Sequence, residues 1–238
     1  LDLKVLKADA TIHSRYGELC LSGFSLDLLQ EDYGYSANLS KGDVIWPLPI
    51  LKTAYLEQMD LRILNQRVVM DFAKLVVFGS GLLELDGELD YSASELGYGV
   101  NGWLKGLNCS DIVNADWRQR LTGKVESKFS AQPNSRGEIK VSGKVSIRDG
   151  ELTALPVLDT IAAYTAVREF KRLCFSEFYC DFVRIGSLLK LKNIYLHCDG
   201  LLRIEGHLDW NDGKLDGVFQ VGLNPGTLGH IPGAEEKN

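Results

Sequence analysis

Proline is scarce in this chain, 6 residues in 238, against 24 glycines. Many glycines with few prolines suit strands and tight turns better than disorder. No apolar run approaches the roughly 18 residues a membrane helix needs, and no amino-terminal signal peptide can be read. The sequence opens at Leu1 without a methionine and closes on Ala234-Glu235-Glu236-Lys237-Asn238, so both ends read as cuts in a longer protein. Lys/Arg clusters are missing too. The charges are interspersed and sum to −6, which argues against nucleic acid as a partner.

The cysteines are Cys20, Cys109, Cys174, Cys180 and Cys198. Their number is odd and no CxxC pair occurs, which argues against a structural zinc site. They read as buried free thiols acting as small hydrophobes. One disulfide among Cys174, Cys180 and Cys198 stays open for an oxidising compartment.

Catalytic motifs are equally absent. There is no G-x-S-x-G, no H-E-x-x-H, no Walker lysine loop and no G-x-G-x-x-G. His13, His197, His207 and His230 lack a partner histidine at ligand spacing. His207 stands between Glu205 and Asp209, where a carboxylate can orient a general base. A solvated strand residue is the simpler reading. The row Glu84, Asp86, Glu88 and Asp90 suggests a hard cation. Carboxylates at i and i+2 on a strand stand about 6–7 Å apart, too far to share one ion unaided. A solvated strand face is the better account. The expectation is therefore a chain without catalytic residues, metal or cofactor.

What the sequence does have is internal repetition, which takes precedence over local signals. Gly81-Leu-Leu-Glu-Leu-Asp-Gly-Glu-Leu-Asp-Tyr91 matches Gly200-Leu-Leu-Arg-Ile-Glu-Gly-His-Leu-Asp-Trp210 at an offset of 119. Leu48-Pro49-Ile50-Leu51-Lys52-Thr53 resembles Leu155-Pro156-Val157-Leu158-Asp159-Thr160. Gly17-Glu18-Leu19 resembles Gly137-Glu138-Ile139. The drift between these offsets implies about a dozen inserted residues after the second Leu-Pro element. Two repeats follow, residues 1–119 and 120–238, within one continuous domain.

Inside the repeats the period is two, the mark of strands wet on one side. Leu83, Leu85, Gly87, Leu89 and Tyr91 oppose Glu84, Asp86, Glu88 and Asp90. Leu202, Ile204, Gly206, Leu208 and Trp210 oppose Arg203, Glu205, His207 and Asp209. Ile139, Val141, Gly143, Val145 and Ile147 form another apolar row, as do Leu121 to Phe129 and Leu215, Gly217, Phe219, Val221 and Leu223. Turn signals stand at Asn134–Gly137, Asp149-Gly150, Asp199-Gly200 and Asn211–Gly213. One-sided burial with short turns predicts antiparallel meanders. Glycine recurs on the apolar face at Gly23, Gly87, Gly143, Gly206 and Gly217, where it marks a bend or close approach.

A helix is predicted from Leu155 to about Phe170, with proline in its first turn and an apolar stripe through Val157, Leu158, Ile161 and Ala162. A shorter counterpart is predicted near Ile50 to Glu57, and a helical turn within Asp111 to Gln119. Trp46 and Trp117 are candidate surface anchors; Trp210 belongs to the packed face. The fold class expected is mainly β with minor α: two tandem antiparallel meander repeats in a curved, trough-like sheet with short covering helices.

The tract from Leu155 to Leu223 resembles the carboxy-terminal region of AsmA-like proteins. The resemblance rests on the LP-x-L helix opening and the aromatic strand Leu173-Cys-Phe-Ser-Glu-Phe-Tyr-Cys-Asp-Phe182. It rests also on Leu189-Lys-Leu-Lys-Asn-Ile-Tyr-Leu196 and on the strand from Leu202 to Asp209 followed by Leu215-Asp216-Gly217. Such proteins are similar to bridge-like lipid-transfer proteins, whose β units form a trough for acyl chains. The resemblance implies a periplasmic protein of the bacterial envelope, anchored to the inner membrane by a part outside this sequence. It implies a phospholipid or other acyl-chain lipid as ligand, in intermembrane lipid transport or outer-membrane maintenance.

The expected groove lining is Leu83, Leu85, Leu89, Ile139, Val141, Val145, Leu202, Ile204, Leu208, Phe219 and Val221. Leaving large apolar side chains wet costs roughly 1.5–3 kcal/mol each, so something must cover this face. The alternative is an assembly scaffold in which two sheets close on each other as a sandwich with no ligand. The recurrent mid-strand glycine argues mildly against a tight sandwich.

Overall fold

The computed structural model describes residues 2–14, 17–46, 51–92, 97–154, 156–165 and 167–228. Strand takes up 76% and helix 7%, so the fold is mainly β. The strands are β1 (Asp2–Ser14), β2 (Gly17–Glu31), β3 (Gly34–Ile45), β4 (Thr53–Leu64), β5 (Arg67–Val77), β6 (Gly81–Asp90) and β7 (Gly97–Asn108). They continue as β8 (Leu121–Pro133), β9 (Ile139–Thr153), β10 (Arg172–Ile185), β11 (Leu188–Cys198), β12 (Leu202–Asn211) and β13 (Lys214–Leu223). Three short helices are α1 (Cys109–Ile112), α2 (Pro156–Thr165) and α3 (Pro225–Leu228), with one 3-10 turn at Arg168–Lys171.

Packing divides the chain into two units. The first comprises Leu1–Leu107 with Ser127–Val141, the second Asn108–Glu126 with Ser142–Asn238. Strands β8 and β9 contribute to both. The sequence boundary at residue 119/120 marks where similarity restarts, whereas packing assigns parts of the same strands to different units. Within each unit the strands lie in sequence order, and the registered pairs are antiparallel. Each unit is thus a meander, as one-sided alternation demands.

In the first unit the register aligns apolar residues into ranks across the strands. One rank runs Leu21, Val44, Ala54, Val77 and Gly81. Beside it run Leu56, Leu75, Leu83 and Leu104, then Leu26, Leu39, Met59, Ala73 and Leu85. A fourth contains Leu28, Ala37, Leu61, Met70, Gly87 and Val100. Leu56 is 0% and Leu75 1% exposed, and Phe24, Val44 and Leu83 join the same core. Among the described residues this unit carries no helix. Trp46, Leu51, Phe78 and Phe129 of the same unit pack against this core.

In the second unit a helix does the covering. Leu158 and Ala162 of α2 and Phe170 of the 3-10 turn pack on Leu173, Phe175, Cys198 and Leu202. The helix expected from Leu155 is real and ends at Thr165. The helix expected near Ile50 to Glu57 is not. Its described part opens β4, where buried Ala54 and Leu56 alternate with exposed Thr53 and Tyr55. That period of two overrides the likeness to Leu155–Thr160; residues 47–50 lie outside the described part. In the third place of interest, α1 and a run of turns occupy Cys109 to Arg120.

The repeat is legible in the registers. Leu83 pairs with Leu104 and Gly87 with Val100. Leu202 pairs with Leu223 and Gly206 with Phe219. All four residues move by the same 119 positions. The period is therefore six strands: β6 and β7 correspond to β12 and β13. The β3–β4 connection, residues 46–52, corresponds to the longer one at 154–171, which carries α2 and the 3-10 turn. The likeness of Gly17 to Gly137 is out of step by one strand, because Gly17 opens β2 and Gly137 precedes β9.

The turn signals at Asn134–Gly137 and Asp199-Gly200 fall between strands, and Asn211 ends β12 with Asp212-Gly213 as the turn into β13. Asn134 Oδ1 accepts from the Arg136 and Glu138 amides, and Asp212 and Gly213 both have positive φ. Asp149-Gly150 is no turn. Asp149 takes a φ of 50° as a kink inside β9, and Gly150 is buried where a Cβ would strike the Phe175 ring.

Candidate functional site

The candidate site is the apolar face of the first unit. Its ranks grade from sealed to open. Leu21, Val44, Ala54, Leu56, Leu75, Val77 and Leu83 are buried. Met59, Leu61, Met70, Leu85, Leu89 and Val100 are half-buried. No charged side chain belongs to the ranks that hold these residues.

The charges stand on the opposite face and neutralise one another. Lys74 pairs with Glu57 at 2.7 Å, Lys105 with Glu84 at 2.9 Å and Arg62 with Asp71. The carboxylates suspected of holding a cation each have another partner. Glu84 has Lys105, Asp86 accepts from Asn101, and Glu88 and Asp90 flank Arg67. Among the described residues no group of three or more His, Cys, Asp or Glu side chains is placed to hold a metal. Trp103 lies on this face between Lys105 and Lys128, 4.0 and 4.5 Å from its ring centre.

The expected lining residues fall into three groups. Leu83 and Leu202 are sealed in their cores. Leu85, Leu89, Ile139, Val141, Val145, Ile204 and Leu208 are half-buried. Phe219 and Val221 are exposed. Leu83, Leu85 and Leu89 share one strand face in the first unit; Ile139 and Val141 belong to that unit and Val145 to the second. In the second unit Ile204 pairs with Val221, and Leu208 with Gly217. Arg203 and His207 point outward, and Glu205, half-buried, takes the Arg203 guanidinium. Trp210 is exposed rather than packed, because its strand neighbours Leu189 and Leu215 do not cover it. Trp46 packs against the first core, while Trp117 is partly exposed.

The second unit also holds an open groove of about 690 Å³, lined by Tyr179, Lys192, Tyr195, Glu205, His207 and Asp209 among others, that sequence reasoning missed. Tyr179 and Tyr195 stack at 4.8 Å, and Arg203 lies over the Tyr195 ring. Only the β10–β11 register brings these rings together. His207 has an open solvent face here, and the carboxylate beside it is engaged by Arg203, so the geometry builds no oriented base.

All five cysteines are free thiols: Cys109, Cys180 and Cys198 buried, Cys20 half-buried and Cys174 exposed. Burial pushes the three buried thiols up to about 11, which leaves them inert at neutral pH. No described helix is long and apolar enough to cross a membrane. Comparison with protein-family models, curated proteins and solved structures found no match.

Proposed function

We propose that this chain is a non-enzymatic β-sheet module that shelters lipid acyl chains on the apolar face of its first unit. One observation carries the reading. Ranks of Leu, Met and Val run across six strands, are sealed at one end and half-open at the other, and among the described residues have no helix of their own unit over them. A half-open apolar face of this extent favours an apolar ligand. Charges confined to the opposite face add that recognition rests on area and not on head-group chemistry. The second unit differs, since α2 occupies the corresponding end of its face.

The setting that fits such a module is the bacterial envelope, on the periplasmic side, in transport of phospholipid between membranes or upkeep of the outer membrane. The likeness of Leu155–Leu223 to AsmA-like proteins supports that setting. To test the reading, the chain is purified from bacterial membranes without detergent and extracted with organic solvent. The extract is then analysed by mass spectrometry. Co-purifying phospholipid of mixed head groups is expected. A lipid-free protein that takes up no phospholipid from vesicles sinks the proposal and favours an envelope scaffold.

A further inference from the structure

We infer that the groove across β10, β11 and β12 of the second unit is a binding site for a neutral saccharide. It lies on the outward side of these strands, so the inference is independent of the lipid reading. Its lining combines two aromatic rings, Tyr179 and Tyr195, with Lys192, Glu205, His207 and Asp209. Its volume of about 690 Å³ falls within the roughly 300–1,000 Å³ of small-molecule sites.

The lining is braced by its neighbours. Tyr179 and Tyr195 face each other across β10 and β11 and stack with ring centres 4.8 Å apart. Arg203 lies over the Tyr195 ring, 5.2 Å from its centre, and its Nε donates to Glu205 at 2.9 Å. Lys190 holds Asp209 at 3.0 Å. A bulge in β11 completes the site. Leu191 pairs with Leu208 and Ile194 with Gly206, so Lys192 and Asn193 together stand opposite His207. Asn193 takes a φ of 51° there and donates to Asp181. Bulges re-aim side chains beside functional sites. Rings and carboxylates fixed before a ligand arrives lower the ordering cost of binding.

The chemistry of the lining selects the ligand. Glu205 and Asp209 each have a cation already, so no bare charge gathers for a metal ion or a polyanion. The groove is open to solvent, whereas an acyl chain gains by leaving water. A saccharide fits both halves of the lining. Its C–H face packs on a tyrosine ring. Its hydroxyls donate to the two carboxylates and accept from Lys192 and the tyrosine hydroxyls.

The repeat supplies an internal control. Gly87 is the counterpart of Gly206, and the groove beside it measures about 390 Å³ with no aromatic ring in its lining. Asp86 and Glu88 stand there where the second unit has Glu205 and His207.

The test is saturation-transfer NMR with calorimetry on the whole chain, using the neutral trisaccharides of glucose and of N-acetylglucosamine. Binding with a Kd of about 0.1–10 mM is expected, with saturation strongest at the sugar C–H protons. Tyr179→Ala should weaken it about tenfold or more, and Tyr179→Phe should keep most of it because the ring remains. Tyr179 is 40% exposed, so the melting temperature should hold. If it falls, His207→Ala, at an exposed position, carries the same test. Glu88→Ala, in the first unit's groove, should leave binding unchanged. No binding of either sugar at about 10 mM, binding indifferent to both Tyr179→Ala and His207→Ala, a Tyr179→Phe as weak as Tyr179→Ala, or an equal loss in Glu88→Ala overturns the inference.

Discussion

Gly87 and Gly206 occupy the same place in their own units, 119 residues apart. A Cβ on Gly87 would drive into the Gly99 carbonyl and stand 3.0 Å from the Val100 Cα. A Cβ on Gly206 would drive into the Val218 carbonyl and stand 3.1 Å from the Phe219 Cα. In both cases the obstacle is backbone, which cannot rotate away. These glycines let the next strand cross close beneath the apolar face, and the duplicated register depends on them.

Gly87→Ala and Gly206→Ala should therefore each destabilise the fold by about 1–3 kcal/mol, the usual cost of overpacking. Gly99→Ala is the control: no atom lies near its Cβ position and its φ is ordinary. It should stay within about 0.5 kcal/mol. Urea denaturation of the three variants checks this. Equal effects at Gly87 and Gly99 would contradict the steric account.

Burial along the ranks makes a second prediction. Leu56→Ala empties a fully enclosed position and should cost about 2–5 kcal/mol. Leu215→Ala, on the exposed edge, should stay within about 0.5 kcal/mol. Ile204→Asp should behave like the core change, because it sets an unpaired charge among apolar neighbours. Glu205→Ala should behave like the surface change. Melting temperatures of the four variants decide it.

Much of this was legible in the sequence, and the reasons differ by element. The facing of Leu83, Leu85 and Leu89 against Glu84, Glu88 and Asp90 followed from the period of two alone. The helix at Leu158 and Ala162 followed instead from an apolar stripe with helical spacing. The segment near Thr53 misled because a local likeness to Leu155–Thr160 was weighed above its own alternation. Trp210 misled because the period fixes which face a residue takes, not whether a neighbour covers it. The Tyr179–Tyr195 stack and the Arg67 bridge to Glu88 and Asp90 depend on strand register, which a single sequence does not carry.

The thiols give a third prediction. Cys174 is exposed, whereas burial pushes Cys109, Cys180 and Cys198 up to about 11. In the folded protein near neutral pH a thiol reagent should modify Cys174 first and leave those three untouched until denaturant is added. Mass spectrometry of labelled peptides reads the order. Early labelling of Cys198 would contradict its placement beneath α2 and the Phe170 turn.

A fourth concerns acid. The hydrogen-bonded Arg62 guanidinium holds the Asp71 carboxyl below its ordinary value of 3.8. A carboxyl lowered on folding stabilises the folded state above its unfolded pKa, and that contribution is lost as pH falls through the folded value. The melting-temperature gap between the native chain and Asp71→Asn should be present at neutral pH and close only on acidification below the ordinary carboxylate range. Both side chains are solvent-facing, so the gap should be small and should shrink in high salt. A gap that widens in acid would contradict the pairing.

The apolar face itself is tested most directly by placing a photo-crosslinking residue at Leu89, on the half-open part of the first unit's face, and separately at Glu88, its outward neighbour. A third probe at Leu202 sits in the core that α2 covers. Irradiation in bacterial membranes should attach phospholipid at Leu89, and not at Glu88 or Leu202. Equal labelling at Leu89 and Glu88, or none at Leu89, would contradict an acyl-chain site on that face.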